Sequence, residues 1–164
     1  MIECRVINAS PLILLGKTGQ LPWVPRLGRL VIPEAVAREI QVGGAADPTA
    51  LWLAGEGSAF ITPDAGEHGE LNAWDLGAGE TAVIARALCE APAAEAILDD
   101  AAARRCAAAH GVPVRGTLSL VALAKRRGLI PECRPVFVRL ATAGLFVTPA
   151  LLNQVLTSAG EPVL

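Results

Sequence analysis

Three apolar, strand-like runs end in side chains that can hold a cation or a phosphate. Cys4-Arg5-Val6-Ile7 runs into Asn8-Ala9-Ser10, and Ala96-Ile97-Leu98 runs into Asp99-Asp100. Val112-Pro113-Val114 passes Arg115 and Gly116 to reach Thr117. In an open α/β sheet, the crevice outside the carboxyl ends of parallel strands is where ligands bind. A donor set made almost wholly of oxygen suits a hard cation such as Mg²⁺ or Mn²⁺.

A fourth oxygen donor comes from a helix. Leu76 to Glu90 is rich in Ala and Leu and free of proline, which predicts a helix with Asp75 as its N-cap. Its apolar stripe is Val83, Ile84, Ala87 and Leu88. Glu80 stands three, four and seven residues before the first three of these, so it shares their face. An ionised carboxylate is costly to bury unless it is paired or bound to metal. The alternative is a Glu at the edge of the stripe that bonds a backbone N–H in the first turn.

The intervening elements must bring these four segments together. Residues 3–8 read as a buried first strand, followed by a helix with Ser10 as N-cap and Pro11 in its first turn. Leu30 to Ile32 and Phe60 to Thr62 read as short strands, with helices expected from Pro33 to Ile40 and from Pro48 to Leu53. After Asp100, a helix from Ala101 to His110 ends at Gly111, and a strand and a helix to Arg127 follow. Residues 132–143 and 149–158 read as two last helices, with Phe146 to Thr148 extended between them. Strands alternating with helices of this length indicate a parallel sheet with helices on both faces.

Composition bounds the class. A chain of 164 residues with 52% apolar and 18% charged residues is globular and long enough for a sizeable core. Four widely spaced cysteines form no C-x-x-C pair, which argues against a zinc ribbon or a redox motif and for reduced thiols. Pro11 to Leu15 is far too short to span a bilayer, so a cytoplasmic protein with no membrane association is expected. The net charge of −2 conceals a split: residues 1–100 carry 6 basic and 14 acidic side chains, and residues 101–164 carry 8 and 2. The basic half includes Arg104, Arg105, Lys125, Arg126 and Arg127, a pattern that fits either a polyanion partner or ordinary solvated helix faces.

Four blocks carry a family likeness: VINASPLILLGKTG, LGAGETAVIA, ILDDAAARRCA and GVPVRGTLSLVALAKRRGLIP. In this order they resemble PIN-like domains, in particular the prokaryotic branch related to VapC-type toxins. The resemblance implies a three-layer α/β/α fold with a central, mainly parallel sheet. It implies one PIN-like nuclease domain over residues 1–164, with about 131–164 as a helical C-terminal extension. It also implies a Mg²⁺- or Mn²⁺-dependent ribonuclease, a small antitoxin protein as partner, and a homodimer.

Carried over residue by residue, the family's site falls on Asn8, Ser10, Glu80, Asp99, Asp100 and Thr117. Asn8, Glu80 and Asp100 would be the metal ligands, and Asp99 is the additional acid of this branch. The family commonly has Asp where this chain has Asn8. An amide oxygen can ligate magnesium but brings no charge, so a weakened or inactive RNA- or protein-binding module stands as the alternative. A phosphoacceptor signalling domain fits less well, because the acidic pair follows a late strand and not the first. In the nuclease reading, Ser10 and Thr117 orient water or phosphate, while Arg104, Arg105 and Lys125 to Arg127 position the RNA backbone.

Overall fold

A computed structural model describes residues 1–164. Five parallel strands form the sheet: β1 (Cys4–Ile7), β2 (Arg29–Pro33), β3 (Ile61–Thr62), β4 (Ala94–Ile97) and β5 (Val114–Arg115). Their order is β3-β2-β1-β4-β5, so β1 is central. The helices are α1 (Ala9–Lys17), α2 (Glu34–Val42), α3 (Pro48–Ala54), α4 (Ala78–Cys89), α5 (Ala101–Ala109), α6 (Thr117–Arg126), α7 (Arg134–Thr142) and α8 (Pro149–Ser158). Short 3-10 helices occupy Leu21–Leu27, Glu56–Phe60 and Gly69–Trp74. This is the α/β architecture expected of a PIN-like fold. No helix is long and apolar enough to cross a membrane.

Every residue of β1 and β4 is buried. Successive strand residues point to opposite faces, so helices cover the sheet on both sides. Val6, Ile7, Ala96 and Ile97 form the dry centre, each fully inaccessible. Parallel register also sets Arg5 opposite Glu95. There Arg5 Nε lies 2.9 Å from Glu95 Oε1, and Arg115 Nε reaches the same oxygen at 3.0 Å. Two guanidiniums on one carboxylate keep these buried charges paired.

Several local expectations are corrected. Asn8, not Ser10, is the N-cap of α1, and Ser10 lies inside the helix. Pro33 closes β2, and α2 begins at Glu34. The N-cap of α4 is Gly77, because Asp75 takes a left-handed conformation (φ 50°) as it ends the preceding 3-10 helix. The 3-10 helix Leu21–Leu27, between α1 and β2 in the chain, buries Trp23. Residues 145–148 pair with no strand and link α7 to α8, with Thr148 extended as expected.

Candidate active site

The chain leaves β1 for one side of the sheet and returns through β4 to the other. The crevice at such a reversal lies outside the carboxyl ends of the two strands. Asn8 follows β1 directly, and Asp99 and Asp100 follow β4 by way of Leu98. The backbone N–H of Asn8 donates to Ile97 O at 3.2 Å, which ties the two strand ends together.

A recess of about 590 Å³ opens at this point. Asn8, Ser10, Glu39, Gly77 and Glu80 line it, with Leu145 of the α7–α8 loop on its border. Asn8 is 6% exposed, and its side-chain oxygen is closed off from solvent without a hydrogen-bond partner. Leaving such an acceptor unsatisfied costs about 1–3 kcal/mol. A cation would satisfy it.

Glu80 is half-buried in the first turn of α4, and its Oε2 accepts a hydrogen bond from Gly77 N at 3.3 Å. Burial raises its pKa above the ordinary 4.5; the Gly77 N–H opposes the rise, while the charges of Asp100 and Glu39 add to it. A cation beside it would reverse that balance.

Glu39 is the acid that the sequence reading missed. It sits near the end of α2, and its Oε1 accepts from Gly79 N at 2.8 Å. Two carboxylates thus meet the exposed N–H groups at the start of α4, where the helix dipole favours negative charge. Glycine at 79 permits this approach, since a Cβ there would stand 2.6–2.8 Å from the Glu39 carboxylate. The signal was available: Glu39 follows Ala35 by four residues and Val36 by three, beside the buried stripe of α2.

The remaining expected residues divide. Asp99 is held by Thr117, whose N–H donates to Oδ1 at 2.8 Å and whose hydroxyl donates to Oδ2 at 2.5 Å. Thr117 is fully buried. Asp100 caps α5, accepting at Oδ2 from Ala103 N at 2.9 Å, and it is outside the recess although its charge is felt at Glu80. No three carboxylate, imidazole or thiol side chains converge as a finished metal cage. The donors that fit a hydrated hard ion are therefore Asn8, Glu80 and Glu39, with Asp100 nearby. Magnesium needs only one or two carboxylates and keeps several waters.

The basic residues also divide. Arg104 lies beside Asp99 and Thr117 in a neighbouring groove, and its Nη1 donates to Leu98 O at 3.0 Å. Arg105 is exposed on the same helix. Lys125, Arg126 and Arg127 are at the far end of α6, roughly 12–15 Å along the axis from Thr117. Lys125 Nζ is paired with Glu161 Oε1 at 2.9 Å, and Arg126 Nη1 reaches Ser158 O at 3.4 Å. The Lys125–Arg127 group thus does not join the strand-end site.

A family model described as a PIN domain matches residues 4–161. No curated protein and no solved structure matches the chain.

Proposed function

This chain belongs to the PIN-domain family, and from that membership and its strand-end recess we propose that it is a metal-dependent endoribonuclease. PIN domains are typically divalent-metal-dependent nucleases. The observation that carries the reading is the orphaned, buried Asn8 oxygen in a recess shared with Glu39 and Glu80. Asn8, Glu80 and Glu39 would hold Mg²⁺ or Mn²⁺, with Asp100 contributing charge. When bound, the ion supplies an activated water and neutralises charge on the scissile phosphate. Ser10, exposed at the mouth of the recess, orients water or a phosphate oxygen. Thr117 acts indirectly by fixing Asp99. Arg104 and Arg105 attract the RNA backbone, which makes binding salt-dependent.

The finer reading is a VapC-related toxin from a prokaryote, cytoplasmic, paired with a small antitoxin and acting as a homodimer. It includes a single nuclease domain over residues 1–164, with 131–164 as a helical extension. Its support is the likeness of the four sequence blocks.

The test is incubation of purified protein with RNA and Mn²⁺. Cleavage that Glu80→Ala abolishes is the expected result. No cleavage by the natural chain, or unchanged cleavage by the variant, overturns the reading.

A second reading is a PIN-domain binding module with an attenuated site. The neutral Asn8 and the absence of three converging acids favour it. Asn8→Asp separates the two. A large gain in Mn²⁺ affinity and in nuclease activity marks the natural site as attenuated. Equal and substantial cleavage by both forms removes the second reading.

A further inference from the structure

A second cavity, of about 240 Å³, opens between the start of α6 and the α7–α8 loop. Leu145 lines both it and the acidic recess, so the two adjoin. One part of its wall is polar, with Arg104, Ser119 and Asp99, whose two oxygens are both taken by Thr117; another is apolar, with Leu145, Phe146 and Leu151. Phe146 is 87% exposed, whereas no other aromatic ring of the chain exceeds the 36% of Trp74. The loop that carries it is fixed at its base: Gly144 has φ +111°, and Leu145 N–H bonds back to Leu140 O at 3.0 Å. Arg104 spends one donor on Leu98 O, and a guanidinium has five.

An exposed ring, a slot with an apolar wall and a cation at its rim match the needs of a nucleobase with its phosphate. Stacking on an aromatic face is open to every base but only when the base is unpaired. In an A-form duplex the base faces are covered by their neighbours. We infer that this cavity receives an unpaired base of a single-stranded RNA, stacked on Phe146, with Arg104 and Ser119 at its polar edge and phosphate. The inference rests on the nuclease reading for its choice of ligand and adds to it a base-binding position on the α7–α8 loop. A protein surface covering Phe146 is the competing occupant; Arg104, with donors to spare, and the Ser119 hydroxyl favour RNA, since the Asp99 carboxylate in the same wall is already engaged by Thr117.

The experiment uses the full chain carrying Glu80→Gln, so that binding is read without cleavage. The probes are a twelve-nucleotide single-stranded RNA with 2-aminopurine near its middle and the same RNA annealed to its complement. Adding Phe146→Ala is expected to weaken single-strand binding about ten-fold and to relieve 2-aminopurine quenching. Phe146→Trp should retain both, and duplex binding should be weaker and indifferent to position 146. Thermal melting of each variant verifies folding, which an exposed ring should not disturb. Unchanged single-strand affinity in Phe146→Ala overturns the inference, as does the absence of single-strand binding. Loss of self-association in Phe146→Ala without loss of RNA binding overturns it in favour of a protein interface. The nuclease reading is judged separately, by cleavage in the natural chain. Phe146-dependent binding without cleavage sinks only that reading, and cleavage without Phe146 dependence sinks only this one.

Discussion

Thr117 grips both oxygens of Asp99, one through its backbone N–H at 2.8 Å and the other through its hydroxyl at 2.5 Å. The acid that follows β4 is thereby bound to the first turn of α6, eighteen residues on and beyond both α5 and β5. Asp99 is committed to holding α6 in place and is not a free ligand. Thr117→Val keeps the shape of the side chain and deletes one charge-assisted bond. The expected loss of stability is about 1.5–3 kcal/mol, measured by urea unfolding. An unchanged midpoint would show that the hydroxyl is dispensable.

Glu80 gives a pH signature of opposite sign to that of a paired carboxylate. Its pKa is raised in the folded protein, chiefly by burial. The folded state therefore binds the proton more tightly than the unfolded chain does. Stability falls as pH rises from the ordinary 4.5 through the raised value, and the penalty persists above it. Glu80→Gln can still cap Gly77 N–H through its amide oxygen. Its melting temperature should exceed that of the natural chain at pH 7 and converge with it in acid. Mn²⁺ should raise the melting temperature of the natural chain and narrow the gap at pH 7.

Gly79 separates fold from site. Adding a methyl there drives into the flexible end of Glu39, not into backbone. Gly79→Ala also gains helix propensity, so the fold should survive with a stability change within about 1 kcal/mol. The displaced Glu39 carboxylate should nevertheless cut the Mn²⁺-induced melting shift by at least half. A full shift in this variant would remove Glu39 from the ligand set.

The four cysteines should react very differently. Cys4, Cys106 and Cys133 are buried, and Cys89 is exposed with His68 Nε2 at 3.7 Å from its sulfur. Burial, reinforced by the charge of Glu161, pushes the Cys133 thiol up to about 12. Ellman's reagent should titrate one thiol rapidly in the native protein and four after unfolding. The rapid phase should vanish in Cys89→Ser.

The sheet was legible because its strands are short, mostly apolar runs closed by polar residues. Asn8, Asp99 and Thr117 stand out in the sequence for that reason, since a strand end is a local signal. The face of Glu80 was equally local, three and four residues from its stripe partners. Glu39 was harder to identify because its partner, Gly79, is forty residues away and joins it only after the sheet has formed. Asp75 was misread as a cap because a favourable capping residue was outcompeted by the 3-10 helix ending there. The basic cluster at 125–127 looked like part of a site because charge counts along a sequence ignore which end of a helix each residue occupies. Its Lys125 is paired with an acid thirty-six residues away, beyond any local pattern.

That acid, Glu161, takes hydrogen bonds from the backbone N–H groups of Cys133 and Arg134 as well as the charge of Lys125. Burial works against its ionisation, but these three donors outweigh it and hold its carboxyl below the ordinary range. The irregular final stretch is thus a clasp that seats the beginning of α7, whose opposite end leads into the turn bearing Phe146. A protease nick, a fused tag or a binding protein that pulled this clasp loose would uncap the start of α7 and leave Lys125 unpaired, while none of the five strands loses a hydrogen bond.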